Sequence, residues 1–145
     1  MSSELLRNAA LHGKAEALLE LLAAGANPCG ADVFGLTALH YAVWNGHIRC
    51  VEILCANSLG RDKNGELKSA LHLVSRKGWT PLHLAAAESI EGARCVPILV
   101  AFGAALDAID FEERTPLNHA MQAGRSDCVA ALNRAQEEKE ARDKV

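Results

Sequence analysis

The residues of this chain best able to do chemistry are its five cysteines and six histidines. Thiolates and imidazoles are the preferred ligands of zinc, and a thiolate beside an imidazole is a nucleophile. Either use needs a particular spacing. No Cys-x-x-Cys and no His-x-x-x-His occurs, nor does a glycine-rich phosphate loop or a strained nucleophile turn. Instead Cys50, Cys95 and Cys128 each stand directly before a valine, in Arg49-Cys50-Val51, Arg94-Cys95-Val96 and Asp127-Cys128-Val129. A small apolar slot used three times explains that better than three ligands to one metal. These thiols are expected to be buried and reduced. Cys29 and Cys55 stand alone. The packing period accounts for the reactive residues, so the expectation is no enzyme, no metal and no cofactor.

The elements that position these residues repeat. Thr37-Ala38-Leu39-His40 returns as Thr80-Pro81-Leu82-His83 and as Thr115-Pro116-Leu117-Asn118. Each copy leads into a small-residue run and then into the Cys-Val segment. Leu22-Ala23-Ala24-Gly25-Ala26 and Val100-Ala101-Phe102-Gly103-Ala104 fall between units. Thr80 and Thr115 suit the cap of a helix, with Pro81 and Pro116 at its first position, where a missing N–H costs nothing. Gly35 and Gly78 suit a tight turn before the helix, and Gly46 and Gly124 suit its end.

Over roughly residues 4 to 134, nearly the whole chain, this pattern resembles the ankyrin repeat. The resemblance implies an all-α solenoid of four helix–turn–helix units joined by turn and finger loops. It also implies that His40 and His83 are structural, each bonding the neighbouring turn. The units are read as about 2–31, 32–74, 75–109 and 110–134, one ankyrin domain over 1–134, with a charged extension at 135–145 that prolongs the last helix. The first unit lacks the Thr-x-Leu-His phrase and carries Ser3, Glu4, Arg7 and Asn8, which suits a terminal cap.

The period locates the irregularities. Gly13 and Gly46 are 33 residues apart, but Thr37 and Thr80 are 43 apart and Thr80 and Thr115 are 35 apart. The ten extra residues fall within Gly60 to Lys77, and the two extra around Ser89 to Glu91. In the longer insertion, Asp62-Lys63-Asn64-Gly65 already looks like a repeat turn, and Ser69-Ala70-Leu71-His72 echoes the phrase. It is read as an extended finger, or as a short helical turn over the groove, or as a mobile loop. Glu113 stands where the turn glycine belongs, so that turn is expected to be strained or altered. Asn118 replaces the histidine and should weaken that link between units. Pro97 falls in the third unit's second helix, and the preceding insertion is expected to bring it into the first turn.

Composition narrows the function classes. The net charge is −3, so there is no basic footprint for nucleic acid. No apolar run approaches a membrane span, and Met-Ser-Ser-Glu-Leu-Leu has no signal-peptide pattern. The expected setting is the cytoplasm, with the nucleus as an alternative.

What remains is recognition of another protein. In ankyrin domains the partner meets the turn tips and the exposed face of the first helices. Counting around the motif gives Val33, Phe34, Leu36, Trp44 and Asn45 in the second unit. The third gives Arg76, Lys77, Trp79, Ala87 and Glu88, and the fourth Phe111, Glu112, Arg114, Gln122 and Ala123. Both tryptophans and two of the three phenylalanines are among them. A concave strip Phe34–Trp44–Trp79–Phe111, edged by Arg76, Lys77 and Arg114, would hold an apolar segment of a partner, with an acidic neighbour. The expected role is an adaptor or scaffold module. The alternative is a stand-alone regulator, similar in size and repeat number to the small ankyrin inhibitors of protein kinases. A monomer is expected, with dimerisation through the aromatic strip as a third possibility.

Overall fold

The computed structural model describes residues 3–144. Met1, Ser2 and Val145, which the sequence reading put at the start of the first unit and the end of the extension, lie outside the described residues. Among the described residues eight α-helices form four pairs: α1 (Ser3–Leu11) with α2 (Ala15–Ala23), α3 (Ala38–Trp44) with α4 (Ile48–Ala56), α5 (Pro81–Ala87) with α6 (Gly92–Ala101), and α7 (Pro116–Gln122) with α8 (Ser126–Asp143). The first helices stack in one row, α1 on α3 on α5 on α7, and the second helices in another, α2 on α4 on α6 on α8. This is the expected solenoid, since each pair buries its apolar face only against its neighbours.

The repeated phrase does what its residue types dictate. The hydroxyl oxygens of Thr37, Thr80 and Thr115 accept the N–H groups of His40, His83 and Asn118 at 3.4, 3.3 and 3.2 Å. The Nδ1 atoms of His40 and His83 accept the threonine N–H groups in return, both at 3.2 Å, which leaves Nε2 to carry the proton. Nε2 of His40 then donates to the Trp79 carbonyl, and that of His83 to the Arg114 carbonyl, both at 2.9 Å. One ring therefore caps its own helix and bonds the next unit's turn. Burial holds the pKa of His40 down at about 4 and pushes that of His83 down too. Asn118 keeps only the local half: its Oδ1 accepts the Thr115 N–H at 3.0 Å, and both its bonds stay within that turn.

A second link runs between units on the other side of each first helix. The Nε2–H of His47 donates to the Leu11 carbonyl at 3.0 Å. The Ser89 hydroxyl donates to the Val43 carbonyl. Arg125 donates to the carbonyls of Ala85 and Ala86 at 3.3 and 3.1 Å, and to that of Ser89. Three different side chains, each between the two helices of a unit, thus bond carbonyls at or just past the end of the preceding unit's first helix, where backbone partners run out. Between the third and fourth units Arg125 acts alongside the His83–Arg114 bond.

The core runs through both rows, with Leu6, Leu18, Leu39, Leu54, Leu82 and Leu99 fully buried. All five cysteines are free and buried. Burial raises every thiol pKa, that of Cys55 to about 12 and that of Cys95 to about 11. The extension continues α8 to Asp143 as an exposed, charged helix.

One expectation is corrected. Pro97 does not reach the first turn of α6: it is the sixth residue of a helix that begins at Gly92. One of the two extra residues lengthens the connection before the helix, where Ser89 turns inward, and the other lengthens the helix itself, so Pro97 stays in its interior. Its ring lies on the exposed face. The longer insertion takes the first of its readings, an extended finger. It is a hairpin, β1 (Leu59–Arg61) antiparallel to β2 (Leu67–Ser69), followed by a 3₁₀ turn over Ala70–His72. Asn27 clamps it from 34 residues away, its Nδ2 donating to the Arg61 carbonyl at 2.6 Å and its Oδ1 accepting the Arg61 N–H at 3.0 Å. The Cys29 thiol donates to the Lys68 carbonyl at 3.3 Å.

Candidate functional site

Four turns of this molecule share one construction. At each, a side-chain oxygen accepts the N–H groups two and four residues on: Asp32 from Phe34 and Leu36, Asp62 from Asn64 and Glu66, Ser75 from Lys77 and Trp79, Asp110 from Glu112 and Arg114. The fourth residue then has positive φ: Gly35 at 77°, Gly65 at 77°, Gly78 at 79° and Glu113 at 61°. Glu113 therefore keeps the turn and carries the strain a side chain meets there. The finger is thus built like a repeat's turn, with the helices that would follow reduced to a 3₁₀ turn.

Three turns join edge to edge. Arg76 N–H donates to the Phe34 carbonyl at 2.9 Å, and Phe111 N–H to the Lys77 carbonyl at 3.3 Å. Gly78 has a second reason to be glycine here, since a Cβ would come within 2.7 Å of the Phe111 nitrogen.

Beside this row, between the second and third units, lies a cleft of about 450 Å³. Phe34, Leu36, Trp44, Arg76, Lys77, Trp79 and Glu88 line it, as the sequence reading required of one surface. Tyr41, Ser75 and Leu84 line it as well and were missed. Tyr41 and Leu84 each follow the histidine of the phrase, three and four residues before Trp44 and Glu88, so helical spacing alone would have put them on the same face. Tyr41 also borders a neighbouring cleft of about 580 Å³ lined by Leu5, Leu11, Asn8 and Arg7, so the concave groove continues into the first unit.

The two tryptophans differ. The Trp79 indole N–H donates to Asp110 at 3.1 Å, its ring meets the edge of His119 at 4.8 Å, and the Lys77 ammonium lies 5.0 Å over its face. Trp79 is thus framework as well as cleft wall. Trp44 stacks on Tyr41 at 6.4 Å, is 42% exposed, and among the described residues has no partner for its indole N–H. The Tyr41 hydroxyl donates to Asp32. Burial and this bond raise the Tyr41 pKa to about 12.

The expected strip is divided. Phe111, 72% exposed, does not line this cleft but a second one on the far side of the turn row, together with Val33. Arg114 does not edge the strip either. Its guanidinium donates to Gln122 at 3.1 Å and Glu112 at 2.8 Å, a self-contained group on the fourth unit. The Asn45 side chain donates to the Tyr41 carbonyl at 3.1 Å and serves the end of α3. The carboxylate of Asp110 is fully buried and accepts His119 Nε2–H at 2.7 Å. Burial alone would raise its pKa, but the amides of Arg114 and Glu112 and the His119 ring outweigh it and hold the group well below the carboxylate range. Among the described residues no three His, Cys, Asp or Glu side chains gather as a metal site, and no helix is long and apolar enough to cross a membrane.

A family model described as ankyrin repeats (many copies) matches residues 6–54, and one described as ankyrin repeats (3 copies) matches residues 62–143. The chain belongs to the ankyrin-repeat family. The second match begins at the finger turn, in keeping with its construction. Among relatives, this ankyrin-repeat chain is 37% identical over 105 residues to glycerophosphocholine phosphodiesterase gde1 of Schizosaccharomyces pombe, covering 72% of the chain and 8% of that protein. It is 32% identical over 131 residues to the E3 ubiquitin-protein ligase XBAT33 of Arabidopsis thaliana, covering 78% and 25%. It is 31% identical over 98 residues to ankyrin repeat domain-containing protein 53 of Macaca fascicularis, covering 66% and 18%. The chain therefore spans a quarter or less of each. Ankyrin repeats are protein-interaction modules, in general non-catalytic, and bind protein partners.

Proposed function

We propose that this ankyrin module is a non-catalytic adaptor that takes an apolar segment of a partner protein into the concave cleft between its second and third units, with Trp44 as the anchor. One observation carries the reading. Phe34, Tyr41, Trp44 and Trp79 converge on a single cleft with Arg76 and Lys77 at its edge, a volume within the range that encloses a ligand. Aromatic anchors in such a setting dominate interface energetics, each costing about 2–4 kcal/mol when truncated. Arg76 and Lys77 favour an acidic neighbour to the apolar segment.

The difference between the tryptophans selects the test. Trp79→Ala would take one donor from the buried Asp110 and the ring that packs on His119, disturbing the fold, so its loss of binding would be uninformative. Trp44→Ala removes a ring with no hydrogen bond. A capture experiment from native lysate compares wild type with Trp44→Ala, both verified as folded by circular dichroism. Loss of a specific captured protein is the expected result. An unchanged set of captured proteins would overturn the assignment of the concave cleft.

A further inference from the structure

The finger and the row of turns enclose a second cleft, of about 700 Å³, on the other side of the turn tips. Arg61 and Lys63 stand on the finger wall, and Val33, Val74, Arg76 and Phe111 on the turn wall. Ser75 and Arg76 line both this cleft and the concave one, so the two meet across the Ser75 turn.

The finger wall is tied to the body of the molecule. Both backbone polar groups of Arg61 are held by Asn27, and the Cys29 thiol holds β2. A Cβ on Gly60 would fall 2.2 Å from Asn27 Oδ1, so the hairpin seats closely on that residue. Such a seat spares a ligand the entropy of ordering the loop.

Its charges are one-sided in use. Asp32 and Asp62 also line the cleft, but each carboxylate already accepts two turn amides, and Asp32 the Tyr41 hydroxyl too. Lys63 and Arg76 have neither an ion pair nor a side-chain hydrogen bond among the described residues, and the Arg61 guanidinium donates there only to the Gly65 carbonyl. The lining thus carries three cations against two carboxylates whose charge the turn amides leave in place, a net positive cleft on a net negative chain. Between them Val33 and Phe111 are 75% and 72% exposed.

We infer that the partner segment does not end in the concave groove. Its apolar part sits on Trp44, and its acidic continuation crosses the Ser75 turn into the finger cleft between Arg61, Lys63 and Arg76. This rests on the reading of the concave cleft as the apolar site, and it gives the finger a use: a fourth turn kept as a basic wall.

The test uses peptides selected on the whole chain from a phage-displayed random library, resynthesised with a fluorophore and titrated by anisotropy. The variants are Arg61→Glu/Lys63→Glu and Trp44→Ala, both on exposed positions. Expected are peptides with an aromatic or branched apolar anchor and a run of Asp or Glu to one side. Affinity should fall about tenfold in the finger double variant and fall with rising salt, and Lys-for-Asp/Glu peptides should bind the double variant better than wild type. Peptides that lose binding with Trp44→Ala but ignore the finger variant overturn this inference and leave the concave site standing. Peptides that ignore Trp44→Ala overturn the concave site itself. If no peptide family is enriched, the chain has no linear-segment site and both readings fall.

Discussion

At the scale of single residues, the molecule keeps its turn geometry even where the residue is wrong for it. Glu113 holds φ at 61° where the three sibling turns have glycine. An L side chain in that region costs about 1–2 kcal/mol, while a new glycine gives back part of the gain by loosening the unfolded chain. Glu113→Gly should therefore stabilise the protein by about 1 kcal/mol, read as a raised urea midpoint at unchanged slope. A lowered midpoint would mean that the glutamate makes a contact worth more than its strain. The oddity was legible from sequence, because the phrase around it fixed the position. The role of Trp79 was not. Its bond to Asp110 spans 31 residues, and a local pattern cannot distinguish a ring that faces a partner from one that also holds the next turn.

At the scale of elements, helix starts were legible because threonine and proline act within one turn of where they stand. What was not legible was how insertions are absorbed. The finger carries its own turn signal at Asp62 to Gly65, but its place is decided by Asn27, a contact no spacing announces. The division of the aromatic strip has the same origin: the row of turns separates Phe111 from Trp44, although counting placed both on one face. Of the two extra residues expected between the helices of the third unit, only one lengthens that connection, burying Ser89, and the other lengthens α6, leaving Pro97 inside the helix. An interior proline forfeits one backbone bond and strains the preceding turn, at about 3 kcal/mol in an ideal helix. On the exposed face water relieves part of that cost, and proline stiffens the unfolded chain. Pro97→Ala should stabilise by about 1–2 kcal/mol and slow amide exchange through α6, measurable by hydrogen exchange. Unchanged exchange in α6 would show that the proline is already accommodated without loss.

At the scale of the whole molecule, stability resides in the joints between units, and two of those joints are neutral histidines. His40 joins the second unit to the third, and His83 the third to the fourth. Each offers Nδ1 as an acceptor to its own threonine and the single proton on Nε2 to a carbonyl, so protonation of Nδ1 breaks the helix cap and puts a charge in the core. Burial lowers both pKa values, that of His40 to about 4. Between the unfolded value near 6.5 and the folded value, only the unfolded chain takes up the proton. The contribution is complete above about pH 6.5 and declines as pH falls toward 4, by about 1.4 kcal/mol per pH unit from His40, with His83 adding in the same direction. The hydrogen-bonded turn carboxylates do not mask this. Asp110 and Asp32 have lowered pKa values, so their contributions are lost only below the ordinary carboxylate range. Urea unfolding at pH 7 and pH 5 should therefore show a clear loss at the lower pH. Equal stability at both would mean that the rings accept a proton in place. The last repeat supplies the control, because Asn118 already performs the local half of the histidine's work without the bond across units. His40→Asn should cost stability at pH 7 and flatten the pH dependence, since it removes the joint and the titrating ring together while sparing the cap.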